Sequence, residues 1–227
     1  MTNINQNDGA DAFCEEVPLR TVAQGGVTSP RGFRAAGVHA GFRKNPQRLD
    51  MACVVADEPV PCAAVFTTNR FCAAPVQVSR QNLGGADKGY GLVQGIVINS
   101  GNANAATGER GRVVARETCG IAASALGCER EQVLVASTGV IGQVLGIEPF
   151  EEGVPAAARA LSTAGGADAA RAIMTTDTHP KECALRYTSK ASPYAGCTFT
   201  VGGMCKGSGM IMPNMATMIA VITTDAP

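Results

Sequence analysis

Between residues 32 and 68 short apolar runs alternate with glycine, proline and charged residues. The runs are Phe33-Arg34-Ala35-Ala36-Gly37-Val38, Leu49-Asp50-Met51-Ala52-Cys53-Val54-Val55 and Cys62-Ala63-Ala64-Val65-Phe66-Thr67-Thr68. Short apolar stretches bounded by turn formers are strand signals, and three in succession predict an antiparallel meander. Residues 74–79 read as a further extended piece and 95–98 as a buried strand. Asn99-Ser100-Gly101-Asn102-Ala103-Asn104-Ala105 follows that strand directly. Asparagines that tolerate left-handed backbone suit a tight loop, which serves either as a plain turn or as a wall of a site.

From residue 109 the period changes. Val113, Val114, Cys119, Ile121, Ala122, Ala125 and Leu126 form a helical stripe over 109–126, and Gly127 is placed to end it. A short buried strand at 133–136 runs into Ser137-Thr138-Gly139. Helical segments are predicted over 148–161 and 167–174, split by Gly165-Gly166. Strands recur at 184–189 and 197–201, and an apolar, β-branched run at 217–223 supplies one more. Strands first, then helices interleaved with strands, define an α+β fold in layers. No internal repeat or linker divides the chain.

Composition narrows the function classes. A chain of 227 residues can bury a sizeable core, and with 45% hydrophobic and 17% charged residues it reads as globular. No stretch approaches the ~20 apolar residues that cross a bilayer. Asp8, Asp11, Glu15 and Glu16 precede the first basic residue, Arg20, which is opposite to a secretory signal, so residues 1–30 are expected to form a flexible tail. Nineteen basic and nineteen acidic residues cancel without a basic block, and aromatics make up 4%, which speaks against nucleic-acid binding. Nine cysteines without a C-x-x-C pair suit a reducing cytoplasm. His179, Cys183, Cys197 and Cys205 have no close ligand pair, so no metal is expected. No cysteine pairs recognisably with His39 or His179, and no phosphate-binding glycine loop occurs.

The chemistry concentrates in residues 206–222. Glycines at 207 and 209 and Pro213 prevent regular structure before the apolar run, so Thr217 stands where an irregular loop enters a strand. A threonine there is ordinarily a strand residue. A break just before it, however, frees an α-amino group that serves as general base for its own hydroxyl. Before the break, that hydroxyl can attack the accessible Ala216 carbonyl and form an ester that water opens. Thr138 and Gly139 are adjacent donors able to meet an oxyanion, or else an ordinary turn at a strand's end. Lys206 offers a cation to a carboxylate, or is a solvated surface lysine. Thr175 donates its hydroxyl to a substrate or caps a helix end, and which of Thr175 and Thr176 points inward is open.

Three motifs bear on these alternatives by resemblance. Met204-Cys205-Lys206-Gly207-Ser208-Gly209-Met210-Ile211, with Pro213 and Met215-Ala216-Thr217-Met218, resembles the self-processing junction of the ornithine acetyltransferase family of arginine biosynthesis, also called bifunctional glutamate N-acetyltransferases. Ala136-Ser137-Thr138-Gly139-Val140-Ile141-Gly142 and Ala172-Ile173-Met174-Thr175-Thr176-Asp177-Thr178-His179-Pro180-Lys181 resemble it in the same order. The similarity extends from about Pro30 to the end. It implies a layered sandwich cleaved between Ala216 and Thr217, with Thr217 as nucleophile, Thr138 and Gly139 as oxyanion hole, and Thr175 and Lys206 as substrate-binding residues.

The implied reaction moves acetyl from N2-acetylornithine to glutamate through acetyl-Thr217, with no cofactor, although bifunctional members also accept acetyl-CoA. Family enzymes pair an α subunit with a β subunit of comparable size, whereas here eleven residues follow Ala216. The expected organisation is therefore a tail over 1–30, an α-subunit-like domain over 31–216 and the first strand of a β-subunit-like domain over 217–227. The expected partners are amino-acid substrates and a β subunit or C-terminal half in an αβ hetero-oligomer, with no nucleic acid and no membrane. A self-processing aminopeptidase or amidase of related fold, and a non-catalytic fragment, are the alternatives.

Overall fold

The computed structural model describes residues 18–85, 89–207 and 217–227. In chain order the elements are β1 (Arg20–Thr21), β2 (Phe33–Val38), β3 (Met51–Ala63), α1 (Ala74–Asn82), β4 (Tyr90–Asn102), α2 (Gly108–Leu126), β5 (Val133–Val140), α3 (Glu148–Ala160), α4 (Gly166–Ala172), β6 (Lys181–Thr188), β7 (Thr198–Lys206) and β8 (Ile219–Thr224). They build two four-stranded sheets in the orders β2-β3-β4-β5 and β1-β6-β7-β8. The α+β layering expected from the sequence is the observed fold class.

The meander signal becomes β2 and β3 with β4 beside them, all antiparallel. Two expected strands merge in it, because β3 runs through the 62–63 run and shifts register between Val55 and Val60. Residues 51–56 of β3 are buried at every position, the pattern of a strand covered on both faces. β5 joins β4 in parallel, a pairing that needs a crossover, and α2 supplies it. Gly127 ends α2 in the left-handed conformation at φ 73°, as its position promised.

Residues 74–79 correct the sequence reading, since they are helical. Pro75 sits in the first turn, where its missing N–H costs nothing, and Ala74 and Val78, four apart, are both buried. Ser79 then locks α1 to β5 by donating to the Val135 carbonyl (2.7 Å) and accepting from the Val135 amide (2.9 Å). The β-branched content suggested a strand, and packing onto β5 overrode it.

Among the described residues, two of the three hydrophobic clusters lie between layers. One lies between the helices and the first sheet, with Cys53, Val97, Cys119, Ala122, Val133, Phe150 and Val154 among its members. The other lies between the sheets and takes Ala52, Val54 and Ile98 from one, Met204 from the other, and Ala169, Ala170, Ala172 and Ile173 from the region of α4. Its small residues let α4 press against β2: a Cβ on Gly37 would sit 2.2 Å from the Asp168 carbonyl oxygen.

The expected tail is corrected at its end. Arg20 and Thr21 pair with Arg186 and Leu185, Val27 is fully buried, and the Thr223 hydroxyl donates to the Val27 carbonyl at 2.7 Å. Residues 20–30 are thus held by the second sheet, and the acidic composition that suggested a tail belongs to the residues before them. At the other end β8 pairs along β7 from Ile219↔Lys206 to Thr224↔Val201, so residues 219–224 share a sheet with the chain that precedes them. Among the described residues no helix is long and apolar enough to cross a membrane.

Candidate active site

Two of the sequence-designated residues, Thr138 and Lys206, lie on the mutually facing sides of the two sheets. Side chains alternate along a strand, so Leu134, Ala136 and Thr138 of β5 share one face, and Ala136 packs against the inter-sheet core. Thr138 is buried on that face at 1% exposure. Gly202, Met204 and Lys206 share the inward face of β7, and Lys206 is only 3% exposed. Lysine is almost never buried without a partner. Here the ammonium donates to the carbonyl oxygen of Thr217 at 2.9 Å. Ala216 lies outside the described residues, so the junction is seen from its Thr217 side.

Gly139 follows Thr138 at φ 137°, a backbone region that side chains rarely enter. It also touches the neighbouring strand: a Cβ there would come within 2.3 Å of the Gly101 carbonyl carbon and 2.6 Å of the Asn102 amide nitrogen. Where the sequence suggested a loop from Asn99, β4 stays paired with β5 through Asn102, and this strand end with the turn after it is the wall against which Thr138-Gly139 rests. Asn102 pairs with both Thr138 and Val140 across a register irregularity. Its side chain donates to the Gln143 carbonyl (3.1 Å) and accepts from the Asn104 amide (2.7 Å), while the Ala103 amide reaches the Val140 carbonyl at 2.9 Å. Asn104 takes the left-handed backbone that its residue type tolerates, at φ 45°.

Thr175 lies beyond α4, which ends at Ala172 with Ile173 at its C-terminus, so it is not the helix cap. Three side chains that composition and spacing did not single out hold its turn. Arg48 donates to the Thr175 carbonyl and Arg43 to the Met174 carbonyl, each at 3.0 Å. Arg43 also lies beside Gly101 and within 3.4 Å of the Ser100 hydroxyl. Burial pushes the Arg43 guanidinium below its ordinary range, Arg48 adds to this, and Asp50 opposes it. The loop bearing both arginines is fastened by buried Asp50, which accepts from the amides of Ala40 (2.6 Å) and Arg43 (2.9 Å). No local signal marks these arginines, because their partners are carbonyls about 130 residues away, 131 for Arg43 and 127 for Arg48.

Asp177 is the third. Its side chain is 4% exposed; it accepts from Lys181 (2.7 Å), the Gly207 amide (2.9 Å) and the Thr175 amide (3.3 Å). Burial pushes this carboxyl up, but the bonds from Lys181, Gly207 and Thr175 outweigh it and hold it down at about 2. For Lys206, burial pushes the ammonium below the usual lysine range, the Asp177 carboxylate opposes that, and the Lys181 charge adds to it. A continuous run of contacts thus links Thr138-Gly139, Gly101, Arg43, the Thr175 turn, Asp177, Gly207-Lys206 and Thr217. The arrangement can hold two adjacent hydrogen-bond donors, one buried cation and a threonine at the mouth of a strand.

Burial pushes the Cys53 and Cys119 thiols up to about 12, which leaves them protonated. His39 is engaged with Arg48 and Asp50, and His179 with the Thr178 hydroxyl. Among the described residues no group of three or more histidine, cysteine, aspartate or glutamate side chains is placed to hold a metal ion.

A layered α+β fold with a buried lysine bonded to the threonine before its last strand defines a class, and comparison with known proteins defines the family. The profile of the ArgJ family matches residues 34–227, and the chain belongs to that family. It is 50% identical over 202 residues to the arginine biosynthesis bifunctional protein ArgJ of Thermosynechococcus vestitus, covering 89% of this chain and 46% of the relative. The protein of that name from Symbiobacterium thermophilum is 50% identical over 203 residues, covering 89% and 48%. The chain therefore spans about half the length of these curated relatives. A crystal structure of ArgJ from Bacillus halodurans superposes with a TM-score of 0.77 at 35% identity, covering 90% of this chain and all (100%) of that one. Ornithine acetyltransferase from Mycobacterium tuberculosis, solved with ornithine, superposes at 0.74 and 37% identity, covering 89% and 100%.

Proposed function

We propose that this chain carries the nucleophile-bearing half of an ornithine acetyltransferase. The observation that carries the reading is the buried Lys206 ammonium bonded to the backbone of Thr217, the residue at which the ArgJ family resemblance places self-cleavage. In the precursor the Thr217 hydroxyl attacks the Ala216 carbonyl carbon, the peptide bond breaks as an ester forms, and water releases the ester. The new α-amine of Thr217 then takes the hydroxyl proton as Oγ attacks the acetyl carbonyl of N2-acetylornithine. Thr138 and Gly139 donate to the resulting oxyanion. Collapse expels ornithine, whose amine takes the proton back, and acetyl-Thr217 passes its acetyl to the amine of glutamate. Thr175 and Lys206 bind the amino-acid substrate, with Lys206 facing a carboxylate.

This reading needs a second half, whether as a β subunit or as continuing chain. The outward face of the second sheet supports that. Leu185, Val201 and Ile222 are exposed there, Ile222 by 75%, beside an open groove of about 510 Å³ that Cys183, Gly203, Cys205 and Ala220 help to line. An apolar sheet face of this kind is normally covered. The workplace proposed for such a biosynthetic enzyme is the cytoplasm, as its reduced cysteines suit.

The test uses the full-length precursor. Wild type splits into two pieces, the second beginning with Thr217; Thr217→Ala stays whole; Thr217→Ser splits slowly because it keeps a hydroxyl. Mass spectrometry then finds acetyl on Thr217 in the presence of acetylornithine, with glutamate or acetyl-CoA varied separately. Cleavage that persists in Thr217→Ala overturns the reading, and ornithine release that ignores glutamate favours an amidase that acylates water.

A further inference from the structure

Nothing in the acyl-transfer chemistry requires a buried carboxylate beside the substrate turn, yet one is there. Asp177 is not paired with the ion that the reaction uses. Its strongest contacts are Lys181 at 2.7 Å and two backbone amides, which belong to the segments whose relative placement the reaction depends on. Thr175 precedes it by two residues. Gly207 lies thirty residues later and directly follows Lys206. Because β7 presents Lys206 inward only while its end is held in register, the Gly207 amide is a natural anchor point.

We propose that Asp177 is a positioning residue that ties the Thr175 turn to the end of β7 and thereby sets Lys206 against Thr217. The proposal rests on the reading of Thr217 as nucleophile. One carboxylate accepts both amides at once, with Oδ1 toward Gly207 and Oδ2 toward Thr175. No neutral side chain of the same volume does this. An asparagine offers one acceptor and one donor, so one of the two amides would face an N–H. The charge also acts through space, because Asp177 favours the protonated form of Lys206 where burial disfavours it.

Asp177→Asn and Asp177→Glu in the full-length precursor test this. Self-cleavage is first order, so its rate constant is independent of how many molecules fold, and the folded fraction appears in the amplitude. Asp177→Asn is expected to lower the rate constant by about ten- to hundredfold, the usual cost of a small misplacement of reacting groups, with most of the amplitude kept. Asp177→Glu, which restores both acceptor oxygens, should regain part of the rate. An unchanged rate constant overturns the proposal, as does a loss confined to amplitude, including complete loss, which would make Asp177 a folding residue. A Thr217→Ala precursor is followed alongside. Its cleavage would sink the nucleophile reading itself, an outcome separate from any result at Asp177.

Discussion

The ammonium of Lys206 reaches the carbonyl oxygen of Thr217 at 2.9 Å, across eleven residues of chain. This contact joins the end of β7 to Thr217 and brings a positive charge to the residue whose α-amine is the proposed base. A neighbouring cation disfavours protonation of that amine. Replacing Lys206 by Met in the cleaved enzyme should therefore make the amine easier to protonate, moving the acidic limb of the kcat/KM profile upward by on the order of one unit. An unmoved limb would show that Lys206 serves only to bind substrate.

Thr138→Ala removes one donor to the oxyanion. In the assembled enzyme kcat should fall ~10²–10³-fold with KM little changed. Steady-state kinetics separate this from ground-state binding, in which KM alone rises. Gly139→Ala keeps the backbone N–H but should displace it, because its Cβ collides with the Gly101 carbonyl and φ 137° is strained for alanine. A lowered thermal midpoint together with lost activity is the expected signature.

Asp177 should leave a mark on acid stability. Its folded pKa of about 2 lies below the ordinary value of 3.8, so its ionised form stabilises the folded chain above pH 3.8, and that contribution fades as pH falls from there through about 2. Urea unfolding of wild type and Asp177→Asn should differ most near neutrality and converge toward pH 2. A constant difference across that window would mean that the carboxylate's ionisation is not what the fold uses.

Alone, the 227-residue chain should not turn over acetylornithine and glutamate. It should self-associate through the outer face of the second sheet, where Ile222 is 75% exposed. Supplying the other half in trans should recover ornithine release in proportion to complex formed, and Ile222→Lys should weaken that recovery without altering the kcat of the complex that does form. Full activity from the lone chain would refute the need for a second half.

Local pattern carried much of this molecule. The stripe of α2, its glycine stop, the split between α3 and α4, and the strands on either side of residues 208–216 follow from periodicity and turn chemistry, which act over a few residues. The 74–79 segment shows where that fails. Six residues of mixed Ala, Pro, Val, Gln and Ser fit a strand or a helix, and packing on β5 through Ser79 chose the helix.

The site divides in the same way. Thr138, Gly139, Thr175, Lys206 and Thr217 are proposed as site residues because they stand in motifs that resemble a known family. Their assembly was not legible, because it is made by side chains reaching backbone atoms far along the sequence. Arg43 and Arg48 hold carbonyls beyond α4, and Asp177 holds the amide of Gly207. A backbone carbonyl or amide is present at almost every residue, so nothing in the sequence says which one a distant side chain will find. The sequence by itself determined local backbone, through turn formers and alternating apolar positions, and marked the proposed site residues through motifs. Only the packing of two sheets around α4 decided that Lys206 would be buried against Thr217.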